Sequence, residues 1–142
     1  MNENLHIEAD VVYRICPSVT NDELNRLFAA SWPDYTWSDF HPILNRSLAF
    51  VCAYHGERLV GFVNLAWDGG IHGFILDTTV HPDMRRCGIG RQLVMQAVAV
   101  AQDRGIEWVH VDFEPHLLDF YRQCGFQHTE AGLIHLMPNN RA

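Results

Sequence analysis

Val80-His81-Pro82-Asp83-Met84-Arg85-Arg86-Cys87-Gly88-Ile89-Gly90-Arg91 is the stretch on which the reading of this chain turns. Phe74 to Val80, just upstream, is rich in strand-forming residues. Downstream, Ile89, Leu93, Ala97, Val100 and Ala101 recur at the spacing of a helix packed on a sheet. A strand therefore ends, a loop with two glycines and three arginines follows, and a helix over 88–104 begins. Free N–H groups and the positive dipole end at such a helix start favour an anion, and glycine allows close approach to the main chain. The same residues also suit a tight strand-to-helix connection with solvated arginines. Leu93 replaces the third glycine of a G-x-G-x-x-G dinucleotide motif, and no Gly-Lys-Ser/Thr of a Walker loop exists.

Working outward, Val11 to Ile15 reads as a strand closed by Pro17. Thr20-Asn21-Asp22-Glu23 is a capping box that starts a helix to about Ala30, with Leu24, Leu27 and Phe28 on its apolar face. Ser31 to Trp37 is an aromatic, Pro-broken loop, followed by a short helix after Ser38. Leu48–Tyr54 and Leu59–Trp67 flank His55-Gly56-Glu57-Arg58 as a hairpin, and Phe74–Val80 extends it to a meander after the Asp68-Gly69-Gly70 turn. Gly105 ends the long helix, Trp108–Phe113 reads as a strand, and Pro115 opens a second helix that Gly125 closes. Phe126–Thr129 and Leu133–Met137 read as two last strands around Ala131-Gly132. The order β-α-(α)-β-β-β-α-β-α-β-β predicts an α+β fold, a mixed and mostly antiparallel sheet flanked by helices, in one domain over 1–142.

Composition narrows the function classes. With 48% hydrophobic and 19% charged residues in 142, a disordered or collagen-like chain is excluded. The formal charge of 10 − 17 = −7 argues against nucleic acid as partner and makes an amine easier to accept than a polyanion. Cys16, Cys52, Cys87 and Cys124 are scattered without C-x-x-C, as in a reducing cytosol. Met1 to His6 lacks the pattern of a signal peptide, and no apolar run approaches the ~20 residues of a membrane helix. A cytoplasmic protein without membrane contact is the expectation. The nine histidines show no H-E-x-x-H spacing, so no metal is expected.

Arg85-Arg86-Cys87-Gly88-Ile89-Gly90, set after Val80-His81-Pro82, resembles the Q/R-x-x-G-x-G/A signature of the GNAT superfamily of acyl-CoA-dependent N-acetyltransferases. Phe120-Tyr121-Arg122-Gln123-Cys124-Gly125-Phe126 is similar to that family's Y-x-x-x-G-F segment. The element order is also the family's, and the resemblance is weakest before Leu48. It implies acetyl-CoA as donor, with Thr78, Thr79 and Val80 along the pantetheine arm. It also implies the main chain of Arg85, Arg86, Cys87, Gly88, Ile89, Gly90 and Arg91 at the pyrophosphate. The Val80 N–H would then stabilise the tetrahedral oxyanion, where the strands at Phe74–Val80 and Trp108–Phe113 splay apart. A homodimer through Phe126–Met137 is a further implication.

Tyr121 matches the family tyrosine that protonates the departing thiolate, as a neutral phenol can; its helical spacing from Leu117 equally suits a core residue. Two departures stand out. Glu114 occupies the place of a CoA-touching Asn, and Leu76 that of the usual glutamate base. Candidates for the base are then His110, preferred because an imidazole titrates near neutrality, Asp112 on the same predicted strand face, and Asp77; each also has a structural reading. Trp32, Tyr35 and Trp37 either wall an acceptor pocket or cover one end of the sheet. The expected function is acetyl transfer to a primary amine, against a CoA-binding or sensing module without turnover.

Overall fold

The computed structural model describes residues 10–137; the N-terminal reading over Met1–His6 lies outside them. Contacts divide the chain into two compact units, one through Val111 and one from Asp112.

The first unit holds a five-stranded sheet of β1 (Val11–Ile15), β2 (Ala49–His55), β3 (Arg58–Trp67), β4 (His72–Val80) and β5 (Trp108–Val111) in sequential order. β1 to β4 pair antiparallel, and β5 joins β4 in parallel. The helices are α1 (Asn21–Ser31), α2 (His41–Arg46) and α3 (Ile89–Asp103). The Thr20–Glu23 capping box forms as read, with each side chain bonded to the other's backbone N–H. β2 and most of β3 are buried on both faces. On one face Leu24, Leu27, Phe28 and Phe40 close over Phe50 and Phe62, with ring centroids 5.1–6.5 Å apart for the Phe28–Phe40, Phe28–Phe62, Phe40–Phe62 and Phe50–Phe62 pairs. On the other, Ile89, Leu93, Val94, Ala97 and Ala101 form the buried stripe of α3.

Gly61 is the closest point of that second contact. A Cβ there would lie 2.9 Å from Leu93 Cδ1, 3.1 Å from Ile89 Cγ2 and 3.2 Å from Ala53 Cβ. Gly61 is also the register partner of Val80. The absence of a side chain thus lets the first turn of α3 settle against β3 beside the end of β4.

In the second unit a 3-10 turn (Pro115–Leu117) leads into α4 (Leu118–Gln123). The helix read from Pro115 is thus split, its first turn tightened. The two last strands do not form: residues 126–137 carry no strand. Strand-forming composition is insufficient without a ladder partner for the amides. Leu133, Ile134, Leu136 and Met137 accordingly stand 81%, 85%, 85% and 72% exposed. Among the described residues the sheet has five strands rather than the seven expected, and β5 stops at Val111 rather than Phe113.

Gly61→Val should destabilise the fold by about 1–3 kcal/mol through overpacking against α3. Denaturant unfolding measures this, and an unchanged midpoint would contradict the close approach.

Candidate active site

β4 and β5 stay together for only four residue pairs, His72–Trp108 through Ile75–Val111. Beyond Ile75 no described strand pairs with β4 on that side. On the β3 side the register slips between Phe62 and Asn64, so that Asp77 and Thr78 stand against Val63 alone. This is a β-bulge, and Asp77 takes the left-handed conformation there at φ 59°.

The bulge sets which main-chain groups face outward. His81 N–H donates to Val60 O at 2.8 Å, which makes that a hydrogen-bonded pair. The neighbouring Val80–Gly61 pair is then the non-hydrogen-bonded kind, and the Val80 N–H points away from β3. Thr78 Oγ1 is buried without a hydrogen-bond partner, a state that costs about 1–3 kcal/mol unless a ligand or water supplies one. Thr79 differs from the expectation: its Oγ1 donates to Asp77 O at 2.9 Å and accepts from Trp32 Nε1 at 3.2 Å. Only its main chain is left for another partner.

After a 3-10 turn (Pro82–Met84), Arg86 at φ 62° and Gly88 at φ 79° turn the chain into α3. Among the described residues no hydrogen bond takes up the amides of residues 86–91; the first helical one is Gln92 N–H to Gly88 O at 3.1 Å. These are the free donors of a helix start. Arg86 and Arg91 are exposed. Cys87 is buried with its Sγ directed to Arg85 O, and Arg85 reaches toward Ser31 O at 3.5 Å. The loop can present amides and guanidinium groups to an anion, which suits a diphosphate. Among the described residues no group of three His, Cys, Asp or Glu side chains converges to hold a metal.

The remaining candidates are dispersed. His110 lies opposite Phe74, stacked on its ring at 4.9 Å, and shares a 2.8 Å hydrogen bond with His72. Phe74 precedes Val80 by six residues, roughly 20 Å of strand, so the structure does not bring His110 to Val80. Asp112 lies beyond the end of β5, and the shared strand face expected for His110 and Asp112 does not exist. Asp77, three residues before Val80, has its carboxyl pKa raised by desolvation. In the second unit Tyr121 is buried against Phe113 (4.8 Å), Phe120 (4.9 Å) and Phe126 (5.8 Å). Glu114 is exposed and makes no side-chain cap. Trp32 and Trp37 are exposed, whereas Tyr35 packs on Phe28 and donates to Asn25 Oδ1 at 2.7 Å, which makes it a fold residue.

Sequence reading missed two buried asparagines, Asn25 and Asn64. Asn25 holds the 32–40 loop, donating to Asn21 O and Ser38 O while accepting from Tyr35 and Ser38 N–H. A polar residue interrupting an apolar run was the available signal for Asn64.

The acetyltransferase (GNAT) family model matches residues 18–126. The chain belongs to the GNAT family. An Arabidopsis thaliana relative, GCN5-related N-acetyltransferase 1, chloroplastic, is 27% identical over 135 residues, 93% of this chain and 68% of that protein. The Porphyra purpurea and Pyropia yezoensis relatives match over 49% of this chain and 40% of their own length. A solved structure from Deinococcus radiodurans R1 superposes with a TM-score of 0.78 at 24% identity, over 91% of this chain and 90% of that one. An aminoglycoside N-acetyltransferase in complex with CoA superposes at 0.72 and 19% identity, over 90% and 95%. The GNAT α+β architecture is thus shared, and general acetyl transfer is the family's activity.

The loop between β4 and α3 of this GNAT chain carries a small polar knot. Asp83 N–H donates to His81 Nδ1 at 3.1 Å, while Arg58 Nη2 reaches His81 Nε2 at 2.8 Å and Asp83 Oδ2 at 3.2 Å. Burial, then the Arg58 charge, holds the His81 pKa below its ordinary 6.5. The unfolded chain therefore takes up this proton first, and stability falls as pH drops from 6.5 toward the lowered value. The melting temperature should be lower at pH 5 than at pH 7.5. Replacing His81 by Asn should shrink that difference, and an equally steep dependence in the variant would remove His81 as its cause.

Proposed function

We propose that this chain transfers an acetyl group from acetyl-CoA to a primary amine by direct attack. The observation that carries the reading is the set of unspent amides over residues 86–91, in line with a Val80 N–H turned out where β5 has parted from β4. The loop amides would hold the diphosphate, with Arg86 and Arg91 beside it, and the free edge of β4 would pair with the pantetheine arm as an added strand. Thr78 Oγ1 would find its missing partner on that arm. The family match spans residues on both sides of Val111, which supports treating the two compact units as one functional domain.

The amine nitrogen attacks the thioester carbon, and the carbonyl oxygen becomes an oxyanion at the Val80 N–H. The C–S bond then breaks, the nitrogen loses a proton, and the thiolate gains one. Asp77 is the favoured base, ahead of His110 and Asp112. It stands closest to Val80 along the strand, and its raised pKa makes it a better proton acceptor near neutrality than an ordinary carboxylate. Tyr121 is the proposed acid at the thiolate. Cys87 and Cys124 are both buried, which speaks against an acyl-enzyme. A homodimer through Phe126–Met137 is part of the same proposal, read out by sedimentation.

Gly88→Glu should abolish acetyl-CoA binding in a calorimetric titration, since bulk and negative charge enter the loop. Unchanged affinity would refute the cradle. Asp77→Asn should lower kcat by at least about 100-fold. In the unsubstituted protein the acid limb of kcat/KM should lie above pH 3.8, the ordinary carboxylate value. Acetyl-CoA binding without thiol release across an amine panel would favour a sensing module instead.

A further inference from the structure

We propose that Trp32 is a positioning residue for acyl transfer, holding the β4 bulge through the Thr79 hydroxyl and so aiming the Val80 N–H. This rests on the reading that the Val80 N–H receives the oxyanion. Trp32 Nε1 donates to Thr79 Oγ1 at 3.2 Å, and Thr79 Oγ1 donates in turn to Asp77 O at 2.9 Å. Two hydrogen bonds thus run from the end of α1 to the carbonyl of the bulged residue. Thr79 also begins the peptide that ends in the Val80 N–H.

Both ends of this link are anchored. Trp32 N–H donates to Phe28 O at 2.9 Å and closes α1, whose Leu24, Leu27 and Phe28 are buried. Thr79 is 2% exposed and pairs with Phe62. Cross-strand partners share a face, so the Thr79 hydroxyl stands on the α1 side of the sheet. The Trp32 side chain is itself half exposed, so burial alone does not fix its direction; its one polar atom does. Ser31 is no substitute, because its hydroxyl is committed to Leu27 O at 2.7 Å and comes only within 3.4 Å of Val80 O.

The link bears on the most strained backbone of the site. Asp77 at φ 59° holds a left-handed conformation that non-glycine residues resist, and such strain persists only under outside constraint. A threonine hydroxyl has one proton to give and is free to turn it elsewhere. The indole N–H, a donor only, occupies a lone pair of Oγ1 and leaves the proton aimed at Asp77 O; bonds in such a chain strengthen one another. Asp77 and Val80, the proposed base and the oxyanion donor, lie on either side of the residue so held. Without the link this segment relaxes, and a misplacement of about 1 Å in a reacting geometry costs on the order of 100-fold in rate.

Trp32→Phe keeps a ring and removes the N–H. It should lower kcat about tenfold while the acetyl-CoA Kd, from calorimetry, changes less than about threefold, because the diphosphate loop is untouched. Thr79→Val should act alike, Thr79→Ser should regain most of that loss, and the variant carrying both Trp32→Phe and Thr79→Val should be no slower than Thr79→Val, since both cut one chain. Trp67→Phe, at the far end of β3, should leave kcat unchanged. Trp32 is half exposed, so its variant answers even if Thr79→Val fails to fold. An unchanged kcat in Trp32→Phe, additive losses in the double variant, or an equal loss of acetyl-CoA affinity overturns the inference while acetyl transfer stands. NMR decides it without turnover. The Trp32 Nε1–H should exchange with solvent at least about tenfold more slowly than in Thr79→Val. Acetyl-CoA should move the Val80 amide resonance, and less so in Trp32→Phe. Both results support the link even if no amine is acetylated, and equal exchange or equal movement overturns it. A Val80 amide that ignores acetyl-CoA in the unsubstituted protein overturns both this inference and the reading beneath it.

Discussion

The parting of β4 from β5 after four residue pairs is the constraint on which the rest of the site depends. A parallel pair that ran its full length would spend the outward amides of β4 on its neighbour. Because β5 stops at Val111 and β4 continues to Val80, a length of strand keeps one edge unpaired by any described strand. The Asp77–Thr78 bulge then reorients that edge within the β3 ladder, which remains hydrogen-bonded on its other side. Backbone strain at Asp77 and an unpartnered Thr78 hydroxyl are both concentrated in these two residues. Such costs persist only where the surrounding structure over-determines the conformation. Here the double-sided burial of β3 and the close seat of α3 on Gly61 provide that support.

Two asparagines divide the polar work on the opposite face. Asn25 has its amide fully engaged and ties α1 to the 32–40 loop, so that Trp32 can reach Thr79 beside the end of β4. Asn64 is tied to the Ser47 hydroxyl at the end of α2, which also bonds Ile43 O. A satisfied buried amide rigidifies the elements it joins. Ser38 O and Asn21 O are at hand for Asn25.

Much of this was legible in the sequence because it is local. The capping box at Thr20, the glycine turn at Gly56 and the helical stripe from Ile89 to Ala101 each carry their own physical signal, and all three elements form within a residue or two of where they were read. The glycine loop was legible for the same reason, since Gly88 takes a conformation that other residues resist. Non-local features were not. The bulge depends on register with β3, the end of β5 on where a partner ceases, and the 126–137 stretch on a ladder that never arises, although its composition is that of a strand. His110 was read from its chemistry, which says nothing about how far along β4 it would land. Asn64 drew no notice because its partner Ser47 stands 17 residues away, at the end of α2.

The sulfur atoms carry one more consequence. Cys52, Cys87 and Cys124 are buried, and desolvation pushes the Cys52 thiol up to about 12, where almost no thiolate exists at neutral pH. Cys16, just past the outermost strand, is exposed. An alkylating dye or spin label added to the native protein therefore meets a single reactive sulfur, at the rim of the sheet. The chain comes with its own attachment point for spectroscopy, and no cysteine has to be engineered in or out to use it.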